Sequence, residues 1–170
     1  GTVLAAGQGK SLSATFTPTD TATYESLTRV VGMDVLPAPL TVRAEDKTKT
    51  YGAALPALTA SYTGFVNQDD AASLDSPVSL STSATASSGT GSYPITAGGA
   101  SDANYAITFE SGTLTVAKAP LTIRANSQSK VYGAALPALS ASYTGLVNQE
   151  TSASLDSPVS LSTSATASSG

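Results

Sequence analysis

The sequence predicts an all-β chain of tandem antiparallel β-sandwiches, each of roughly immunoglobulin size, with room for one short helix per unit. Three observations predict it. Apolar residues alternate with Ser, Thr and other small residues at a period of two, the pattern of strands that bury one face. Glycines and prolines punctuate the chain between those alternating runs. A long segment also repeats: Leu40–Gly89 matches Leu121–Gly170 at a constant offset of 81, with 39 of 50 positions identical and no gap.

The strands follow in order from the alternation. Leu40, Val42 and Ala44 share a face, as do Leu58, Ala60 and Tyr62. Val78, Leu80 and Ala84 come next, then Tyr93, Ile95 and Ala97, then Tyr105, Ile107 and Phe109, and last Leu114 and Val116, which makes six short strands. Between the last two, Glu110-Ser111-Gly112-Thr113 offers a glycine for positive φ, so a tight antiparallel hairpin is expected there. Only Asn67 to Leu74 breaks the alternation, and its polar, capping-competent start followed by alanines suits one or two helical turns. Pro39, Pro56, Pro77, Pro94 and Pro120 fall near strand beginnings or between strands, where a missing N–H is tolerated.

The repeat sets the domain organisation. Its offset carries Tyr51-Gly52-Ala53-Ala54-Leu55-Pro56 onto Tyr132-Gly133-Ala134-Ala135-Leu136-Pro137, and Ser61-Tyr62-Thr63-Gly64 onto Ser142-Tyr143-Thr144-Gly145. Tyr24 precedes Leu40 by the same 16 residues that separate Tyr105 from Leu121. Residues 1–39 are therefore expected to be the C-terminal part of a preceding domain, residues 40–120 one complete domain, and residues 121–170 the N-terminal part of the next. The chain opens at Gly1-Thr2-Val3-Leu4 without methionine, basic or apolar leader, so an export signal is expected further upstream. Residues 121–170 lack counterparts of Tyr93, Ile95, Tyr105, Ile107, Phe109, Leu114 and Val116, and are not expected to fold by themselves.

Composition narrows the function. Eight basic and 12 acidic residues give a net charge of −4, too little and too mixed to attract nucleic acid. Histidine, cysteine and tryptophan are absent, which removes the commonest proton shuttle, every thiol nucleophile, His/Cys zinc sites and any Ser-His-Asp triad. Val, Leu, Ile and Phe total 33 of 170, near the lower edge for building a core. With 26 serines and 24 threonines in a lysine-poor acidic chain, an extracellular or bacterial cell-surface location is favoured over the cytosol. No run approaches the ~20 apolar residues of a spanning helix, so no membrane insertion is expected in this segment.

A combination of motifs then resembles a known family. Leu-Thr-Val near the start of the unit, Tyr51-Gly52-Ala53, Tyr62-Thr63-Gly64-Phe65-Val66-Asn67, Gly91-Ser92-Tyr93-Pro94-Ile95-Thr96, Asn104-Tyr105 and Gly112-Thr113-Leu114-Thr115-Val116 resemble the MBG (mostly beta, glycine-rich) domain of the YGX type, over residues 40–170. Residues 1–39, with Phe16-Thr17-Pro18-Thr19-Asp20 and Tyr24, are similar to the final strands of a bacterial immunoglobulin-like repeat. The resemblance implies Ig-like tandem arrays in long bacterial surface or secreted proteins, many of them adhesin-like, and no catalytic residues to carry over.

Candidate sites are each outweighed by a structural role. Asp69, Asp70 and Asp75 are close enough for a carboxylate pair or a calcium site, but they occupy a polar connection where no carboxyl is desolvated. Their equivalents in the second repeat are Glu150, Thr151 and Asp156, so the ligand set changes between copies. Tyr51, Tyr62, Tyr93 and Tyr105 suggest a sugar-stacking platform, yet the last three share the register of Leu, Ile and Phe and read as core; Tyr51 is open. Gly89-Thr90-Gly91 and Gly98-Gly99 lack the strand-to-helix context of a phosphate cradle and read as turn glycines. Lys47, Lys49 and Lys130 form no basic field, and Lys118 at a strand end is poorly placed for an isopeptide crosslink, which needs a buried lysine.

The expectation is a non-catalytic structural spacer or stalk repeat with no catalytic, cofactor-binding or metal residues and no cofactor. Its partners are the neighbouring repeats of the same chain, with a host or cell-surface ligand left open. The alternative is an adhesive or carbohydrate-binding module that contacts ligand through its loops, recognisable by exposed aromatics clustered at one loop end.

Overall fold

The computed structural model describes residues 4–168. By spatial contacts they form two compact units. One holds the residues up to 47 with 57–83 and 93–114, and the other holds 48–56, 84–92 and the residues from 115 onward.

The first unit opens with an antiparallel hairpin. β1 (Gly7–Phe16) pairs β2 (Leu27–Val35) from Lys10↔Met33 to Phe16↔Leu27, with a bulge between Gly7 and Lys10. Leu12, Phe16, Leu27, Val30 and Val31 on this hairpin are each more than half exposed. Tyr24 lies in the connecting loop, where its N–H donates to the Asp20 carbonyl, whereas Tyr105 begins a strand.

β3 (Ala38–Ala44) is the middle strand of a sheet ordered β5-β3-β8. Leu40, Val42 and Ala44 are at most 1% exposed, because a two-residue period sends all three to the inner face. β5 (Ala60–Thr63) runs antiparallel to it, from Thr41↔Thr63 to Ala44↔Ala60. β8 (Tyr105–Glu110) runs parallel, from Ala38↔Tyr105 to Arg43↔Glu110, so the sheet is mixed rather than purely antiparallel. Pro39 fits because β5 pairs only from Thr41 onward, leaving no ladder partner on that side for the missing N–H.

The hairpin expected between the last two strands does not form. β9 (Gly112–Ala117) lies in a different sheet, ordered β4-β9-β7-β6, while β8 stays beside β3. Both strands carry a buried face, and such faces can meet across two layers as well as side by side in one. Gly112 has no positive φ; a Cβ there would press on the Ala44 carbonyl, so the glycine lets the chain pass close to the end of β3.

The remaining strands of the four-stranded sheet are β4 (Lys47–Thr50), β6 (Ser79–Thr82) and β7 (Gly91–Gly98). β4 is a seventh strand of the repeat, hidden from the apolar alternation because its buried position is Lys49, 7% exposed. β6 pairs β7 antiparallel from Ser79↔Gly98 to Thr82↔Ile95, and Pro94 stands one residue past that ladder. Leu58, Val78 and Ala84 lie just outside the strands expected to contain them.

The helical expectation reduces to one 3-10 turn, Ala71–Ser73, capped by the Asp70 carboxylate with Ser73 bonding back. Asn67 and Gln68 just before it sit at φ 55° and 68°, left-handed conformations that do not propagate a right-handed helix. The core is built by Leu40, Val42, Leu74, Ala100 and Tyr105, with Tyr62, Phe65, Val78 and Ile107 packed around it.

In the second unit, β10 (Thr122–Ala125) and β11 (Ala141–Thr144) pair from Thr122↔Thr144 to Ala125↔Ala141, the β3–β5 register shifted by 81. The 3-10 turn recurs at Ser152–Ser154 with Thr151 as its cap, and the left-handed pair recurs at Asn148 and Gln149. The chain over 160–163, the counterpart of β6, forms no strand.

Candidate functional site

The acidic segment is taken apart by the fold. Asp69 accepts a 2.6 Å bond from the Tyr105 hydroxyl, Asp70 accepts from the Ala72 N–H as a cap, and Asp75 accepts from the Ala103 N–H. Three carboxylates close in sequence thus serve three different backbone or hydroxyl donors. Among the described residues no three acidic side chains gather as metal ligands would.

The tyrosines take different places in the fold. Phe65 stacks on Tyr62 at 5.5 Å between ring centres and meets Tyr105 edge-on at 5.5 Å, an aromatic stack turned into the core. Tyr105 is 6% exposed. Tyr93 lies half-buried within β7. Gly91 and Gly98 bracket β7, and Gly99 at φ 80° turns the chain after it. Lys47 pairs with Glu45 at 3.1 Å, and the Thr59 hydroxyl donates to the same carboxylate oxygen. The Thr59 bond and then the Lys47 ammonium hold that carboxyl below its ordinary range. Lys118 is exposed.

Two features that sequence reasoning missed stand out. The first is Lys49, whose ammonium donates to the carbonyls of Ala53 (2.9 Å) and Ala86 (2.8 Å). It ties the turn after β4 to the Ser/Thr-rich loop, and its counterpart Lys130 donates to the Ala167 carbonyl at 2.9 Å. The signal available in sequence was the retention of a lysine at both positions in the repeat.

The second is a joint inside the second unit, where the Tyr51-Gly52 turn of one repeat meets the loop that follows β11 in the next. The Tyr51 hydroxyl donates to Glu150 Oε1 at 2.8 Å. A Cβ on Gly52 would lie 2.6 Å from the Val147 side chain, so glycine gives the two segments room to touch. Beside them a notch of about 350 Å³ is lined by Tyr51, Val147, Glu150 and Leu121 among others. Only four residues separate the end of β9 from the start of β10.

The Tyr-Gly motif at this joint is also the signature by which the chain is classified. The family model described as MBG domain (YGX type) matches residues 40–115 and again 121–170. The chain belongs to the MBG family, YGX type. No curated protein and no solved structure matches it. The two matched segments keep the offset of the internal repeat, so the joint links consecutive MBG repeats.

Tyr105 gives the MBG repeat a pH dependence. Burial first, and then its bond to Asp69, holds the phenol above its ordinary value of 10. The protonated phenol is therefore favoured in the folded state, so its stabilisation is complete below pH ~10 and is lost as pH rises through the raised value. Melting temperature followed from pH 9 to 12 should fall more steeply for the native chain than for Tyr105→Phe. Parallel slopes would contradict the linkage.

Proposed function

We propose that this chain is a non-catalytic structural spacer, a run of MBG repeats that holds other parts of a bacterial cell-surface or secreted adhesin-like protein at a distance. The observation that carries the reading is the joint: a four-residue connection containing Pro120, braced by the Tyr51–Glu150 hydrogen bond. Pro120 fixes its own φ and favours an extended Ala119, whereas a flexible coil would need a Gly/Ser linker. Chemistry finds little support, since the candidate carboxylates and tyrosines serve caps, loops and the core. No helix among the described residues is long and apolar enough to cross a membrane. The loop-adhesion alternative is not favoured, because the Tyr62–Phe65–Tyr105 stack faces inward.

The test is scattering from a longer array. Duplicating residues 90–170 in tandem adds one full period of 81 residues in register. With strands of 6 to 8 residues at ~3.3 Å each, the added repeat should lengthen the maximum dimension by roughly 20–30 Å plus its end loops. A maximum dimension unchanged from the parent chain would mean a folded-back array and would end the spacer reading.

A further inference from the structure

The joint leaves a matching half-site on the second repeat. Val131 and Tyr132 are 77% and 73% exposed, and a Cβ on Gly133 would meet nothing within 4 Å. Their counterparts in the first repeat, Thr50, Tyr51 and Gly52, form the turn that carries the joint, where Tyr51 and Gly52 are half-buried against the Val147–Glu150 segment. The backbone is already set for the same contact: Gly52 and Gly133 both sit at φ 80°. The complementary half is duplicated too. Val66, the counterpart of Val147, is 46% exposed, and the left-handed pair that shapes the loop has nearly the same φ values in both copies.

We propose that Tyr132-Gly133 is a docking surface whose occupant is the Val-Asn-Gln-Glu loop of a further copy of this repeat, with the Tyr132 hydroxyl donating to that loop's carboxylate. This deepens the spacer reading by naming the device that couples one repeat to the next. The contact is heterologous, the turn of one repeat on the loop of another, so it propagates along an array instead of closing a pair. The equivalent turn in the first repeat shows what the partner is: Tyr51 bonds Glu150 and Gly52 lies against Val147. Covalent linkage makes the docking intramolecular, so a small contact of one hydrogen bond and one valine suffices where it would be weak between separate chains.

The chain with residues 90–170 duplicated places a second Val147–Glu150 segment one period beyond the first. A photo-crosslinking phenylalanine derivative put in place of Tyr132 in that chain should yield a crosslink mapping to the duplicated copy of residues 145–150. The same probe in place of Tyr51 in the parent chain should map to the original Val147–Glu150 segment. Val147→Asp in the duplicated copy alone should abolish the crosslink from position 132 and leave the one from position 51. Crosslinks from 132 that map elsewhere, or none while the position 51 probe succeeds, would overturn the proposal. Failure of both probes would overturn it as well, by removing the joint on which it is built. An array that still lengthens in scattering while the crosslink is missing would sink this docking surface and leave the spacer standing.

Discussion

Gly64→Ala is expected to destabilise the first repeat by about 3 kcal/mol or more. Gly64 sits at φ 117°, outside the regions open to residues with a Cβ, and conformations of this kind cost ~1–3 kcal/mol each. The added Cβ would also press on the carbonyl of Pro39, backbone at the start of β3 that cannot rotate away as a side chain tip would. Overpacking against such a neighbour adds ~1–3 kcal/mol. Gly145 repeats the arrangement at φ 109° against the Pro120 carbonyl, so the third letter of the Tyr-Thr-Gly motif is a packing requirement at the entry to each repeat. For a unit of this size the melting temperature should fall by roughly 12 °C or more. Gly89→Ala is the control, since its Cβ would meet nothing within 4 Å and its φ is not positive, and it should shift melting by less than about 3 °C. Equal melting of the two variants would show that β3 yields to the extra methyl.

What was legible in the sequence depended on whether a single local signal set the structure. Leu40, Val42, Ile95, Leu114 and Val116 are all nearly inaccessible, as their alternation required, because a strand's two faces follow from backbone geometry alone. Strand partners are a different matter. Nothing local distinguishes β8 turning back on β9 from β8 crossing beside β3, and the choice rests on which buried faces must meet. The short turn at Ala71–Ser73 was legible only as a polar, capping-competent start; the structure makes Asp70 the cap, with Ser73 bonding back. Its brevity was not, because it comes from the left-handed Asn67-Gln68 pair and from Leu74 turning into the core.

The candidate site divides in the same way. Tyr62 and Tyr105 were readable as core from register, whereas Phe65, which joins them, lies beyond the end of β5 and outside any alternation. Tyr51 could not be placed from one repeat, because its partner Glu150 is 99 residues away and belongs to the next repeat. β4 was missed for a related reason: its inward residue is charged, and hydropathy counts a lysine as exposed even when its stem is covered and its ammonium is bonded.

That lysine carries the second large prediction. Lys49→Ala is expected to cost about 3–5 kcal/mol. Two hydrogen bonds from an ammonium to carbonyls are worth ~1.5–3 kcal/mol each, and truncation also removes the buried methylene stem and leaves the Ala53 and Ala86 carbonyls without their donor. Lys49→Met keeps most of the stem and loses only the donor, so it should recover part of the loss and rank between alanine and the native residue. Lys130→Ala, which removes one such bond from a half-exposed lysine, should cost less than half as much. Salt separates the buried tether from surface pairing: in 1 M salt the contribution of the exposed Lys47–Glu45 pair should fade, while that of Lys49 persists. The competing effect is the cost of removing an ammonium from water, which for buried charges can exceed what their partners return. Here both acceptors are fixed carbonyls within 2.9 Å, in a turn and a loop that lie outside the strands, so the bonds should win. Denaturant midpoints of the three variants decide it: Lys49→Met equal to or above the native chain would show that the tether is retained at a net cost.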